Sequence, residues 1–343
     1  MDITSFYRVQ LNKNFNFSDL EKIIPYLKSL GISHIYLSPI LQSTSGSMHG
    51  YDTVDYSRIN AEIGGEEDLK RISGILRSYS MGIMVDFVPN HMAINNENVY
   101  LQDIFKNGKK SIYYKLFDIL DLSTMPESKI ILPVLDDEYY PSLAKSFHLD
   151  LKKHLLYING EPYNLLNGSP DSRNNMDDSV YSLNKIINSQ IFYPGYWKMY
   201  ISGTNYRRFF AVGSLIGIHS ERKEFFKLMF QKIIELADKK IIDAVRIDHI
   251  DGLYSPLAFI KDANEALNLP VYVEKILTGN EKMPFTPYLN GTTGYDFLYY
   301  ANYLFINNKN VKSIVNIYEL FTGMHYGLCT ILCVNINPLL IMK

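Results

Sequence analysis

Cysteine is the residue this chain nearly does without. Cys329 and Cys333 are its two cysteines in 343 residues, which excludes a disulfide framework and a four-thiolate metal site. An excess of charge of one sign is missing too. The 34 basic residues stand against 36 acidic ones, for a net charge of -2, so nothing in the sequence is built to hold nucleic acid. No apolar run reaches the roughly 18 residues of a membrane span. Met1-Asp2-Ile3-Thr4 lacks a basic segment leading into an apolar one, so no signal peptide is read and cytoplasmic residence is expected. The glycines form neither G-x-G-x-x-G nor G-x-x-x-x-G-K-[ST], and G-x-S-x-G is absent, which argues against nucleotide binding and against a serine hydrolase. His49, His91 and His249 stand singly, and with Asp86 they give no metal-ligand spacing, so neither metal nor cofactor is expected. Aromatic rings are plentiful, with 27 Tyr and 18 Phe; such rings line sugar sites, although most of them belong to a core.

What is present is an alternation of strands and helices. Phe6 to Leu11 reads as a first strand. Ser18 and Glu21 make a capping-box pattern ahead of a helix with Leu20, Ile23, Ile24, Leu27 and Leu30 on its apolar side, closed by Gly31. His34 to Pro39 is a second strand, completing a βαβ unit. A long small-residue loop runs from Ser43 through Asp52 to Tyr56, and such a loop is uncommon in a compact domain unless it has a use. Glu66 to Tyr79 is a helix and Gly82 to His91 a third strand. Periodicity then weakens until Tyr206-Arg207-Arg208-Phe209-Phe210 leads back to regular structure. Glu221 to Lys240 is an amphipathic helix, Ile241 to Ile247 a fourth strand, and Leu269 to Val273 a fifth. Gly291 to Phe297 reads as a loop feeding a helix, and beyond Asn308 the pattern fades.

The polar residues cluster at the C-terminal ends of these strands, where parallel α/β sheets place their chemistry. Asp248 ends the fourth strand and Glu274 the fifth, one crossover apart. Arg246 lies two residues before Asp248 and so shares its face of an extended strand. Two carboxylates beside a guanidinium are what retaining glycoside chemistry requires, one as nucleophile and the other as acid and base. Arg246 is expected to hold Asp248 ionised, while Glu274 must keep its proton through burial or a nearby negative charge.

Asp86-Phe87-Val88-Pro89-Asn90-His91, Ala244-Val245-Arg246-Ile247-Asp248-His249, Glu274 and Gly50-Tyr51-Asp52 occur in the order and spacing of the motifs of the α-amylase superfamily, which the chain resembles. Within it, five phrases are most similar to the maltooligosyl trehalose synthase family. They are Ser47 to Asp52, Tyr206 to Phe210, Asp248 to Leu253, Val273 to Leu277 and Gly291 to Phe297. The resemblance implies an α/β fold, an incomplete (β/α)8 TIM barrel of the alpha-amylase type with an irregular domain inserted after the third strand. It assigns residues 1–91 to barrel strands one to three and 92–205 to the insertion. Residues 206–308 would hold strands four and five with the following segment, and 309–343 a divergent tail.

The activity implied is an intramolecular transglucosylation that turns the reducing-end α-1,4 link of a maltooligosaccharide into an α,α-1,1 link, beside a trehalose-releasing hydrolase as a functional partner. Asp248 would be the nucleophile and Glu274 the acid/base. Tyr51, His91, Arg246, His249, Asp251, His49 and Asp52 would bind sugar, with Asp86 and Asn90 in support. Members of that family are longer, so the last strands, the third catalytic carboxylate and the C-terminal domains are expected to be missing here and the chain to be weak or inactive. The alternatives are another α-glucan hydrolase of the superfamily and a non-catalytic carbohydrate-binding remnant.

Overall fold

The computed structural model describes residues 2–120, 129–139, 145–169, 180–200, 203–277, 281–283 and 286–323. Both cysteines lie outside the described residues.

Strand β1 (Phe6–Val9) leads to helix α1 (Phe17–Ser29), and β2 (His34–Leu37) returns parallel to β1. The reciprocal capping box of α1 is set two residues earlier than expected, on Asn16 and Asp19 in place of Ser18 and Glu21. That start keeps Phe17 inside the helix, where it is fully buried. Leu30, read as part of the apolar stripe, is instead exposed, because α1 ends at Ser29 and the chain turns at Gly31. The expected long loop is shorter than the sequence suggested: β3 (Leu41–Ser43) and β4 (Thr53–Ile59) pair antiparallel around it. Helix α2 (Gly65–Ser78) and β5 (Gly82–Phe87) follow, and β6 (His91–Ala93) leaves the main sheet.

The middle of the chain holds α3 (Val99–Asn107), β7 (Ile130–Leu135), β8 (Phe147–Asp150), β9 (Leu155–Ile158), β10 (Glu161–Asn164), α4 (Val180–Ser189) and β11 (Phe192–Tyr196). Buried Leu156, Tyr163 and Phe192 from this stretch belong to the same apolar core as the main sheet. Then β12 (Arg208–Phe209) and β13 (Val212–Gly217) form an antiparallel hairpin that pairs through β13 with β6. Helix α5 (Lys223–Asp238) delivers the chain to β14 (Ala244–Ile247), α6 (Pro256–Leu267) to β15 (Val271–Val273). A sixth strand that the sequence reading missed, β16 (Gly291–Thr292), pairs parallel with β15. Two residues, one of them glycine, leave no apolar run to read. Helices α7 (Tyr295–Tyr303) and α8 (Val311–Thr322) come last among the described residues, so helical structure continues past Asn308, where the sequence pattern fades.

The main sheet runs β1-β2-β5-β14-β15-β16, and the pairings between β1, β2, β5, β14, β15 and β16 are all parallel. Its register sorts the side chains. Val9, Leu37, Val85, Val245 and Val271 stand in one row on the outer face, buried against the helices. Phe230 of α5 lies 4.3 Å from Phe87 and 4.4 Å from Phe226 between ring centroids, filling that layer. Arg8, Tyr36, Met84 and Ala244 form one row on the inner face, and Asp86, Arg246 and Tyr272 another.

The inner face is concave. Phe6 of β1 and Tyr272 of β15 have ring centroids 5.3 Å apart although three strands separate theirs. In a flat sheet those two strands would lie about 19 Å apart. Curling of this kind is what parallel strands do on the way to a barrel. The described strands form a curled arc of a parallel (β/α) sheet, with β1 and β16 each paired on one side among the described residues.

Candidate active site

The C-terminal ends of β5, β14 and β15 converge on one guanidinium. Arg246 stands opposite Asp86 in register, so the two meet across the strands. Its Nη1 donates to Asp86 Oδ1 at 2.7 Å and to Asp248 Oδ1 at 2.6 Å. Its Nη2 lies 3.9 Å from Glu274 Oε2. Asp86 is saturated by donors, since Tyr36 Oη gives to Oδ2 at 2.8 Å and Tyr51 Oη at 2.6 Å. Charge-assisted contacts of this length in a buried place are strong and directional, and they fix where Asp248 points.

Sharing has a consequence for Asp248. Burial, and then the negative charge of Asp86, push its carboxyl up to about 7, against the opposing pull of Arg246. The sequence reading expected Arg246 to favour the ionised form outright. The structure corrects this, because one Nη1 is divided between two carboxylates while both sit out of water. Tyr51 is raised above its usual value by burial and by Asp86, so its hydroxyl stays neutral and donates.

Glu274 accepts the backbone N–H of His249 on Oε2 at 2.9 Å. That N–H is aimed by a left-handed backbone at His249, φ 47°, a conformation that costs a non-glycine residue about 1–2 kcal/mol. The turn after Asp248 also presses on β5's end. A Cβ on Gly252 would stand 2.4 Å from Asn90 Oδ1, so only glycine lets the turn close there. These two features account for the Asp248 to Gly252 phrase physically.

His91 Nε2 donates to the Tyr51 carbonyl at 3.1 Å, and burial holds the imidazole down to about 3, hence neutral. Asn90 Oδ1 accepts from Arg207 Nη1 at 2.9 Å, and Arg207 Nε donates to Asp118 at 2.8 Å. The Phe209 ring lies 4.1 Å from His91 and 4.8 Å from His249, so the β12–β13 hairpin tip roofs both histidines. The groove of about 570 Å³ between α5 and α6 is lined by Phe226, Tyr254 and Phe259 and contains none of the clustered carboxylates.

The family profile "Alpha amylase, catalytic domain" matches residues 5–139. A Mycobacterium tuberculosis (strain H37Rv) protein assigned as a maltooligosyl trehalose synthase is 33% identical over 305 residues, which is 86% of this chain and 38% of that protein. The structure titled DSM5389 glycosyltrehalose synthase superposes with TM-score 0.85 at 38% identity, covering 94% of this chain and 44% of the other. Maltooligosyltrehalose synthase from Arthrobacter ramosus superposes with TM-score 0.84 at 31% identity, covering 95% and 41%. Over most of its own length the chain is similar to maltooligosyl trehalose synthases. It spans about 38% of the length of the curated relatives it matches.

Of the residues singled out from the sequence, Asp248, Glu274, Arg246, Asp86, Tyr51, His249, His91 and Asn90 are linked by the contacts above. His49 stacks on Tyr51 at 6.2 Å and receives the Tyr51 backbone N–H. Asp52 accepts from Ser47 Oγ at 2.6 Å within the same loop. Asp251 instead turns outward to Lys275 at 2.9 Å. Sequence reasoning missed Tyr36, Arg8, Gln10 and Lys275. Tyr36 and Arg8 lie outside the motifs, and their register, two residues on from His34 and Phe6, places them on the inner face.

Proposed function

We propose that this site performs an intramolecular transglucosylation at the reducing end of a maltooligosaccharide. Asp248 attacks the anomeric carbon on the donor side of the last α-1,4 link. The C1–O bond breaks as Glu274 gives its proton to the departing oxygen, leaving a glycosyl ester on Asp248 and a free glucose. The glucose turns, its anomeric hydroxyl attacks the same carbon, and Glu274 takes the proton as the ester bond to Asp248 breaks. The product carries an α,α-1,1 link, has unchanged mass and no reducing end.

The observation that carries this reading is the single guanidinium of Arg246 reaching Asp86, Asp248 and Glu274 at the ends of adjacent parallel strands. Two carboxyl groups held by one guanidinium are the arrangement expected of a retaining pair, whose separation is about 5 Å. Tyr51 would lie beneath the sugar ring, with His49, Asp52, His91 and His249 around it. Asp251, turned toward Lys275, would act on the acceptor side only through the turn that carries it. Residues 92–205 are read as the insertion after the third strand, between barrel segments 1–91 and 206–308 and ahead of a divergent 309–343. Cytoplasmic residence and service beside a trehalose-releasing hydrolase belong to the same proposal.

Maltopentaose is the test substrate. A non-reducing product of unchanged mass supports the mutase, whereas shorter reducing sugars make the site a hydrolase and bound but unconverted sugar makes it a binding module. A polypeptide of these 343 residues alone is expected to be slow, below the ~1 s⁻¹ common among enzymes. Among the described residues β1 and β16 close no barrel, and the catalytic geometry needs support on all sides to within about half an ångström.

A further inference from the structure

Strand β1 contributes nothing to the carboxylate cluster directly, yet Arg8 on it and Gln10 just past its end reach the loop that carries Tyr51. Arg8 Nη2 donates to Tyr51 Oη at 3.2 Å and to Gln10 Oε1 at 3.0 Å. The same guanidinium lies 5.5 Å from the centroid of the Tyr36 ring. Gln10 Nε2 donates to the His49 carbonyl at 3.1 Å and to the Leu11 carbonyl at 3.1 Å. Tyr51 is therefore held at every polar atom it has. Its hydroxyl donates to Asp86 and accepts from Arg8, its carbonyl accepts from His91, and its N–H donates to His49.

We propose that Arg8 and Gln10 are positioning residues: together they clamp the 48–52 segment of the loop against β1, so that the Tyr51 ring is fixed before sugar arrives. This rests on the functional reading above and deepens it, because neither residue belongs to the carboxylate machinery or to the motifs shared with the α-amylase superfamily. The physical logic is preorganisation. A ring that must stack on a sugar loses less freedom on binding when its hydroxyl is already held between a carboxylate and a guanidinium. The clamp also ends an alternating chain, Arg8 to Tyr51 to Asp86 to Arg246 to Asp248, which links the sugar platform to the nucleophile.

The first measurement is amide hydrogen exchange on the sugar-free 343-residue chain. Arg8→Ala with Gln10→Ala should raise exchange at residues 48–52 by about tenfold, the scale of one lost charge-assisted hydrogen bond. Strand β4 and the thermal midpoint should stay as they were, and Arg8→Lys should restore much of the protection, since one donor to Tyr51 suffices. Unchanged exchange at 48–52 overturns the clamp, and so does a rise spread over the whole chain. The second measurement is maltopentaose affinity. Arg8→Ala and Tyr51→Phe should each weaken binding about tenfold, and the double variant by no more than about twofold beyond either. Full additivity means Arg8 acts by another route and refutes the proposal. If the unsubstituted chain binds no maltopentaose, the functional reading fails, while the exchange comparison still decides the clamp.

Discussion

The two faces of the main sheet are made by the same strands and the same ladder, and they do opposite things. The outer row, Val9, Leu37, Val85, Val245 and Val271, is apolar and packed on helices, so its burial is favourable in itself. The inner rows carry Tyr36, Asp86 and Arg246 toward Asp248, and burying the charges of Asp86 and Arg246 is unfavourable unless each is paired. Alternation by one residue thus separates a stabilising surface from a reactive one. Substitutions on the two faces should fail in different ways, and that difference is open to experiment.

The largest effect is expected at Asp248. Asp248→Asn should lower glycosyl transfer from an activated donor by ~10⁴-fold or more. Its thermal midpoint should not fall, because the carboxyl it replaces is one that burial already pushes toward its neutral form. A large loss of stability would mean the two faces are not separable. Phe230→Ala is the converse. Phe230 is fully buried between Phe87, Phe226 and Phe259, and its truncation should cost about 3–5 kcal/mol in denaturant unfolding. Per folded molecule, transfer from the activated donor should stay near the unsubstituted rate.

The smallest and most diagnostic effect concerns pH. Asp248 must be ionised to attack, so transfer should rise as pH climbs through about 7. The stability term has the opposite sign. A carboxyl whose pKa is raised by folding stabilises the fold while neutral, and that contribution is lost as pH rises through about 7. Asp86→Asn removes the neighbouring negative charge and leaves Arg246 to Asp248. The acidic limb of the pH profile should then move to lower pH, and a limb that stays in place would show that Asp86 is not what raises Asp248.

The reactive face was partly legible in the sequence, for a physical reason. Asp248, Glu274 and Arg246 sit where apolar strands end, and a charged residue at such an end stands out. The Asp86 to His91 run stood out the same way. Arg8 and Tyr36 did not, because neither lies in the motifs that mark the site and their contacts with Tyr51 and Asp86 are made across strands. β16 was invisible because two residues carry no period, and the true cap of α1 because Asn16 with Asp19 and Ser18 with Glu21 are near-equivalent patterns. The outward turn of Asp251 depends on Lys275, which no local spacing predicts. The family phrases gave the order of the site residues, but not that one guanidinium is shared among three carboxylates.

The central claim is that Asp248 forms the glycosyl bond while Glu274 handles the proton. It is tested most directly with a 5-fluoro-α-glucosyl fluoride, whose leaving group departs without an acid, followed by peptide mass analysis. The account predicts one glucosyl adduct on the peptide carrying Asp248, in the unsubstituted chain and in Glu274→Gln alike, and none in Asp248→Asn. An adduct on Glu274 or on any other peptide, or no adduct at all, would contradict it.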